Sequence, residues 1–278
     1  MPSSRESALP PSWQTAAAKD RWWKRVAEAP HSVLMLDYDG TLAPFKLDRM
    51  EALPYPGIEE RLSRLLALER SSVVLVTGRS RREIGQIYPA SAQMEVWASH
   101  GWEHAFADGQ YYMAPLREEQ KAILHDLMHE LEARRLPASA VERKPASIAI
   151  HWRGLEPSEQ DLLRRSALKP FERFVPGGEV ELLPFEDGVE LRATGRTKGD
   201  AVRDLRSRFS METPIAYLGD DHTDEEAFGA MDPADLALLV RPAPRGTLAD
   251  YWMAAPEGVL EFLDGWIEAL ANDTDYST

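Results

Sequence analysis

Three short runs in this chain are apolar or aromatic at every position and then break off into polar residues. Val33-Leu34-Met35-Leu36 runs into Asp37-Tyr38-Asp39-Gly40-Thr41, and Val73-Val74-Leu75-Val76 into Thr77-Gly78-Arg79-Ser80. Late in the chain, Ile215-Ala216-Tyr217-Leu218 runs into Gly219-Asp220-Asp221. Strands without a polar face belong to sheets covered on both sides, and such sheets are mostly parallel. Val96-Trp97-Ala98 and Leu236 to Val240 read the same way. Between the runs, apolar residues recur with helical spacing, as at Ile58, Leu62, Leu65 and Leu66, and a second helical segment begins near Ser80. Strands alternating with helices predict βαβ units and an α/β fold with a mostly parallel sheet.

The middle of the chain has a different pattern. Leu116 to Leu136 predicts an amphipathic helix with Ile123, Leu124, Leu127, Met128 and Leu131 on one face. Around it, Ser147 to Trp152, Glu179 to Phe185 and Val189 to Ala193 alternate apolar with polar residues, which predicts an antiparallel sheet with one solvated face. Residues 109–193 therefore read as an inserted α/β module, bounded by Asp108-Gly109 and Thr194-Gly195, with residues 1–108 and 194–278 as the parallel-sheet core. Residues 1–20 read as a loose lead-in, followed by a short helix from Trp22 to Ala27. A chain of 278 residues suits one domain carrying a second, smaller one.

In an open parallel sheet, ligands bind beyond the carboxyl ends of the strands. The three polar segments are thus expected to meet in one crevice. Asp-Gly behind a strand is also an ordinary turn signal. That reading alone leaves Asp37 directly after an apolar strand, where an unpaired carboxylate is costly, and a cation or a catalytic role removes the cost. Thr223 with Glu226 has the capping-box pattern, so Glu225 and Glu226 are read as serving a helix N-terminus. Asp220 and Asp221 precede that helix and suit Mg²⁺, which takes hard oxygen ligands; whether Asp221 or Asp224 supports the ion stays open.

Thr197 reads as an N-cap with Asp200 as its capping-box partner, which puts Lys198 in a first helical turn. The helix dipole disfavours a cation there, so the position suits gripping an anion. The Thr77 hydroxyl and nearby backbone amides can hold phosphate oxygens. Charge bears on this, because 32 basic against 46 acidic residues leave a net charge of −14. Such a balance argues against a nucleic-acid partner and requires local positive charge wherever a phosphate lands. The chain has no cysteine, which excludes disulfides and thiolate metal sites. No apolar run is long enough to span a bilayer, and MPSSRESALPPSWQ has no secretory-type apolar stretch, so the expectation is a cytoplasmic protein without a membrane partner. The eight tryptophans fit either core packing or sugar stacking.

Asp37-Tyr38-Asp39-Gly40-Thr41, Thr77-Gly78-Arg79-Ser80, Lys198-Gly199 and Gly219-Asp220-Asp221-His222-Thr223-Asp224-Glu225 resemble, in order, the motifs of haloacid dehalogenase-type phosphatases. Their particular forms resemble the trehalose-6-phosphate phosphatase family. So do Ser99-His100-Gly101, Val141-Glu142-Arg143-Lys144, His151-Trp152-Arg153 and Glu190-Leu191-Arg192. The resemblance implies a Rossmann-like core with an inserted α/β cap that reads the sugar. It implies Asp37 as nucleophile and Mg²⁺ ligand, and Asp39 as general acid and base that also meets Mg²⁺ through its backbone carbonyl. Thr77 and Lys198 hold the phosphoryl group, and Asp220 completes the metal site. Tyr38, Gly78, Arg79, His100, Gly101, Glu142, Lys144 and Glu190 fall at substrate-binding positions. The implied substrate is a small sugar phosphate, trehalose 6-phosphate. Sucrose phosphate, glucosylglycerate phosphate, a phosphomutase activity and a non-catalytic sugar-phosphate sensor stand as alternatives.

Overall fold

Strand β1 (Ser32–Leu36) is buried at every position and lies between β2 (Ser71–Val76) and β10 (Ile215–Gly219), parallel to both. The computed structural model describes residues 9–134, 136–137, 140–185 and 188–271. Its larger sheet has eight strands in the order β12-β11-β10-β1-β2-β3-β4-β5. Here β3 is Glu95–Ala98, β4 Glu103–Ala105, β5 Tyr111–Met113, β11 Leu236–Val240 and β12 Tyr251–Met253. Strands β12 to β3 pair in parallel and β4 runs antiparallel to β3.

The β1 side chains alternate between two cores, which is why the strand has no polar face. Leu34 and Leu36 pack with helices α1 (Lys19–Glu28), α2 (Ile58–Leu66) and α8 (Glu257–Ala271), through Trp22, Val26, Leu62, Phe262 and Trp266. Val33 and Met35 pack on the other face with α6 (Lys198–Arg206) and α7 (Asp224–Phe228), through Val202, Leu205 and Phe228. Each such side chain contributes roughly 1.5–3 kcal/mol by leaving water. Helix α3 (Arg81–Ile87) starts at Ser80, whose capping box with Glu83 is formed.

The predicted lead-in proves partly structured. Ser12 bridges to Trp252, and buried Trp13 packs edge-on against Trp23, Tyr251 and Phe262. With Trp22 against Trp266, these tryptophans are core residues. Apolar contact outweighs the local signals of Pro and Ser there.

The chain divides into two units, residues 1–112 with 197–278, and residues 113–196. Both junctions fall a few residues beyond the turn signals. At the first, the chain returns to the larger sheet as β5, where the Tyr111 hydroxyl donates to Glu103 Oε2 at 2.9 Å. At the second, Thr194 stays with the insert, its amide donating to the Glu179 carbonyl at 3.0 Å.

The inserted unit has a four-stranded antiparallel sheet in the order β6-β7-β9-β8, with β6 Val141–Arg143, β7 Ser147–His151, β8 Val180–Phe185 and β9 Gly188–Ala193. Helix α4 (Glu118–Ala133) and helix α5 (Pro157–Phe174) share its core through Leu124, Leu127, Leu131, Leu163 and Phe171, against Ile148, Ile150 and Leu191. The expected solvated face is found only in part, with Glu181 and His151 half-exposed. Glu142, Ser147, Glu190 and Arg192 share the other face and are all buried. They satisfy one another: Lys144 Nζ lies 3.2 Å from Glu190 Oε2, Ser147 donates to Glu190, and Arg192 pairs with Glu181 at 2.7 Å.

Candidate active site

Because β1 is flanked by β2 and β10, the residues that follow these three strands stand side by side. Asp37 follows β1, and its amide donates to the Leu218 carbonyl at 2.8 Å. Thr77 follows β2, and its amide donates to the Trp97 carbonyl at 2.8 Å. Asp220 follows β10. Gly40, at φ +76°, is required here, since a side chain on it would run into the Asp220 carboxylate.

Lys198 enters from the start of α6. The Thr197–Asp200 capping box is formed and starts the helix at Lys198. The buried ammonium lies 2.8 Å from Asp37 Oδ1 and 2.8 Å from Asp224 Oδ1. Burial opposes its charge, but Asp224 and Asp37 outweigh burial and hold its pKa above the ordinary lysine value. The two carboxylates also offset the unfavourable helix dipole.

Asp224 lies inside the site and not on a helix cap. Thr223 makes no side-chain cap, so the expected Thr223–Glu226 capping box is absent. The Asp224 carboxylate accepts at Oδ1 from Lys198 and from the Tyr217 hydroxyl at 2.6 Å, and at Oδ2 from the amides of Asp220 at 3.1 Å and Asp221 at 3.0 Å. Those donors use the roughly four acceptor positions of a carboxylate. Asp224 therefore holds Lys198 and the 220–221 turn in place. Glu225 likewise does more than serve a helix end. It accepts from the Leu248 amide at 2.7 Å, from Thr247 at 2.8 Å and from Arg245, while Arg241 donates to the Asp220 carbonyl at 3.1 Å.

Carboxylate oxygens of Asp37, Asp220 and Asp224 all lie within 4.8 Å of one another. Burial raises the pKa of Asp37 to about 8, with Lys198 pulling it down and Asp224 pushing it up. Burial also raises Asp220 well above the carboxylate range, with Asp37 adding to the rise. Three ionised carboxylates against one ammonium leave two negative charges, which a divalent cation cancels. The cluster therefore fits a divalent metal held by oxygen ligands.

Asp39 lies beside the cluster, with both oxygens held by Arg79: Nε to Oδ2 at 2.7 Å and Nη2 to Oδ1 at 2.7 Å. The third guanidinium nitrogen, Nη1, is buried and has no hydrogen-bond partner among the described residues. The Thr77 hydroxyl accepts from the Arg79 amide at 3.1 Å. Gly78 allows close approach of His100, since a side chain on Gly78 would come within 2.6 Å of the ring. Ser99 and His100 hold φ of 48° and 57°, and Gly101 follows at 93°. Left-handed backbone at non-glycine residues costs of order 1–3 kcal/mol and clusters at functional sites.

The Tyr38 side chain is fully buried in the core, and its hydroxyl donates to the Ala52 carbonyl at 2.7 Å, so any contact of Tyr38 with substrate is left to its backbone. In the inserted unit, Glu142, Lys144 and Glu190 do come together, with Lys144 Nζ 3.9 Å from Glu142 Oε1 and 3.2 Å from Glu190 Oε2. His151 joins them, its Nε2 2.6 Å from Glu142 Oε2. The sequence singled out His151 only as part of a motif, without a role, and it missed Tyr217. A tyrosine in an apolar run reads as core, and only the fold brings its hydroxyl to Asp224.

Comparison with known proteins agrees with this fold. A solved structure of the C-terminal domain of trehalose-6-phosphate phosphatase from C. albicans superposes with a TM-score of 0.77 over 94% of this chain and 99% of that one, at 20% identity, which speaks to the fold. The expected haloacid dehalogenase-type core with an inserted α/β unit is the fold observed. A bifunctional trehalose-6-phosphate synthase/phosphatase from Thermoproteus tenax is 29% identical over 86% of this chain and 32% of its own length. A trehalose-phosphate phosphatase from Mycobacterium ulcerans is 28% identical over 84% of this chain and 60% of its own length. The chain thus spans about a third and about three fifths of these relatives. Residues 35–247, which include the carboxylate cluster, Lys198 and the inserted unit, match the family model for trehalose-phosphatase, and the chain belongs to that family.

Proposed function

We propose that this protein hydrolyses trehalose 6-phosphate to trehalose and phosphate through an aspartyl-phosphate on Asp37, and that it requires Mg²⁺. The observation that carries the reading is the buried Lys198 ammonium shared by Asp37 and Asp224, beside Asp220. A lysine in this position orients one oxygen of Asp37 and leaves the other to attack phosphorus. Asp37 Oδ forms the new bond to phosphorus while the bond from phosphorus to the sugar oxygen breaks. Asp39 gives its proton to that oxygen, because a sugar alkoxide is a poor leaving group. Protonated Asp39 cannot keep both hydrogen bonds from Arg79, so the pair opens as Asp39 takes up a proton from solvent before this step, and the contacts can re-form once that proton has gone to the sugar oxygen. Asp39 then takes a proton from the water whose oxygen bonds phosphorus as the phosphorus–Asp37 bond breaks, which returns it to the protonated form. Thr77, Lys198 and the free Arg79 Nη1 offer donors to the phosphoryl oxygens.

Asp37 and Asp220 would hold the Mg²⁺ with the Asp39 backbone carbonyl, whereas the hydrogen bonds already made to Asp224 reserve it for positioning. The ion supplies charge neutralisation at the phosphoryl group. Glu142, Lys144 and Glu190 are proposed to read the sugar hydroxyls. As mutual partners, they are already desolvated and oriented before a sugar replaces some of their contacts.

The test is phosphate release from trehalose 6-phosphate, glucose 6-phosphate, sucrose 6-phosphate and glucosylglycerate phosphate, with Mg²⁺ and with a chelator. The expected result is Mg²⁺-dependent turnover with the highest kcat/KM on trehalose 6-phosphate. A preference for another sugar overturns the substrate, and no turnover on any overturns the enzyme.

A further inference from the structure

The inserted unit carries a second arrangement of metal-ligating side chains, chemically unlike the carboxylate cluster. Helix α4 buries Leu124, Leu127 and Leu131, and its solvent side carries His125 and His129. Residues four apart on a helix are neighbours one turn apart. Their Nε2 atoms lie 3.2 Å from each other, with ring centroids 4.4 Å apart and planes at 70°. Two imidazole nitrogens bound to one tetrahedral ion, at about 2.05 Å each, stand about 3.3 Å apart. The spacing is thus the bite of a chelate.

A second observation concerns the far side of each ring. His125 Nδ1 lies 3.5 Å from Asp126 Oδ1, and His129 Nδ1 lies 3.7 Å from Glu132 Oε2. A carboxylate facing Nδ1 favours the proton there and leaves the Nε2 lone pair for an ion. A cation set between the two Nε2 atoms gains both lone pairs.

We infer that His125 and His129 form a solvent-facing binding site for a divalent transition metal of the Zn²⁺ class on the inserted unit. Imidazole pairs suit Zn²⁺, Cu²⁺ and Ni²⁺, whereas Mg²⁺ and Ca²⁺ keep to oxygen ligands. Among the described residues the only group of three or more potential ligands is Asp37, Asp220 and Asp224, so water completes the shell at the histidine pair. The chelate spans one turn, and it forms only while α4 is helical. Bound metal therefore stabilises the inserted unit by mass action. Nothing in this inference depends on the proposed reaction.

The test uses the untagged full chain in saturating Mg²⁺, titrated with Zn²⁺ against a chromophoric chelator. Binding is expected to weaken by about tenfold or more in His125→Gln and in His129→Gln, and by about tenfold in Asp126→Asn with Glu132→Gln. Zn²⁺ should raise the melting temperature of the wild type and leave that of the double histidine variant unchanged. Phosphate release without Zn²⁺ should be the same in both. Equal Zn²⁺ affinity in the wild type and the double variant overturns the site. Binding that survives in the double variant and disappears in Asp37→Asn assigns the ion to the carboxylate cluster and overturns it equally.

Discussion

The guanidinium of Arg79 holds both carboxylate oxygens of Asp39 at 2.7 Å, while its own face lies 5.7 Å from the Tyr38 ring. A planar fork on both oxygens fixes the plane of the carboxylate, which a single-point contact does not. Arg79 is itself nearly buried, so the pair is little screened by water. In the proposed reaction Asp39 has to exchange this partner for a sugar oxygen and then for water.

That exchange makes leaving-group chemistry the readout. Asp39→Asn should depress turnover on trehalose 6-phosphate by several orders of magnitude and spare the first step on an activated aryl phosphate, whose leaving group needs no proton. Arg79→Lys, which keeps the charge and loses the fork, should lower turnover on the sugar phosphate by about tenfold to a hundredfold and on the aryl phosphate by less, since the lost Nη1 donor to the phosphoryl group is common to both. Pre-steady-state rates on both substrates decide the matter. Equal losses on both remove Asp39 from proton transfer.

Asp37→Asn should abolish turnover and leave the fold intact, because an amide oxygen cannot replace an ionised carboxylate as nucleophile. The expected loss is at least about a thousandfold in kcat. Phosphate release within tenfold of wild type, in a variant with an unchanged circular dichroism spectrum, rules out the covalent route.

Chelation should eliminate activity, and added Mg²⁺ should restore it while Ca²⁺ does so poorly, since a larger ion with looser coordination misplaces Asp37. The crowding of Asp37, Asp220 and Asp224, where burial raises the pKa of Asp37 and Asp220 until a cation offsets it, also predicts an effect that needs no substrate. Mg²⁺ should raise the melting temperature of the wild type and raise that of Asp220→Asn much less. Full activity in excess chelator refutes the metal requirement.

Tyr217→Phe removes one of the two donors on Asp224 Oδ1 and leaves Lys198 as the other. A hydrogen bond to a charged group contributes roughly 1.5–3 kcal/mol, so a loss felt in the transition state lowers kcat by about tenfold to a hundredfold. KM should change little, because Tyr217 is fully buried and has no surface to offer a sugar. If stability falls while kcat holds, Tyr217 is a core residue only.

Glu142→Ala, Lys144→Ala and Glu190→Ala should each reduce kcat/KM on trehalose 6-phosphate by one to three orders of magnitude, the range expected for losing hydrogen bonds made by charged groups. A small aryl phosphate should be nearly unaffected. Measuring both substrates on each variant separates sugar recognition from general damage, which would lower both in parallel.

Apolar runs such as Val33 to Leu36 determined the parallel sheet directly, because a strand with no polar face has to be covered on both sides. The abrupt change from Leu36 to Asp37, Val76 to Thr77 and Leu218 to Gly219-Asp220 likewise located the crevice, since strand ends in such a sheet share one edge. Local chemistry also placed Lys198, because the Thr197–Asp200 capping box depends only on residues three apart. The same rule failed at Thr223, where the four donors to Asp224 drew that carboxylate into the crevice and no box formed. At Tyr38 the motif says nothing about which way the side chain points, and an apolar core claimed it. In the inserted unit, alternation identified the strands but not the surroundings of their polar face, where Glu142, Ser147 and Glu190 are buried. Period and capping act within a few residues, so sequence carries them. Which carboxylates share one ammonium, and which tyrosine reaches them, is decided only when residues 37, 198, 217 and 224 are brought together by packing.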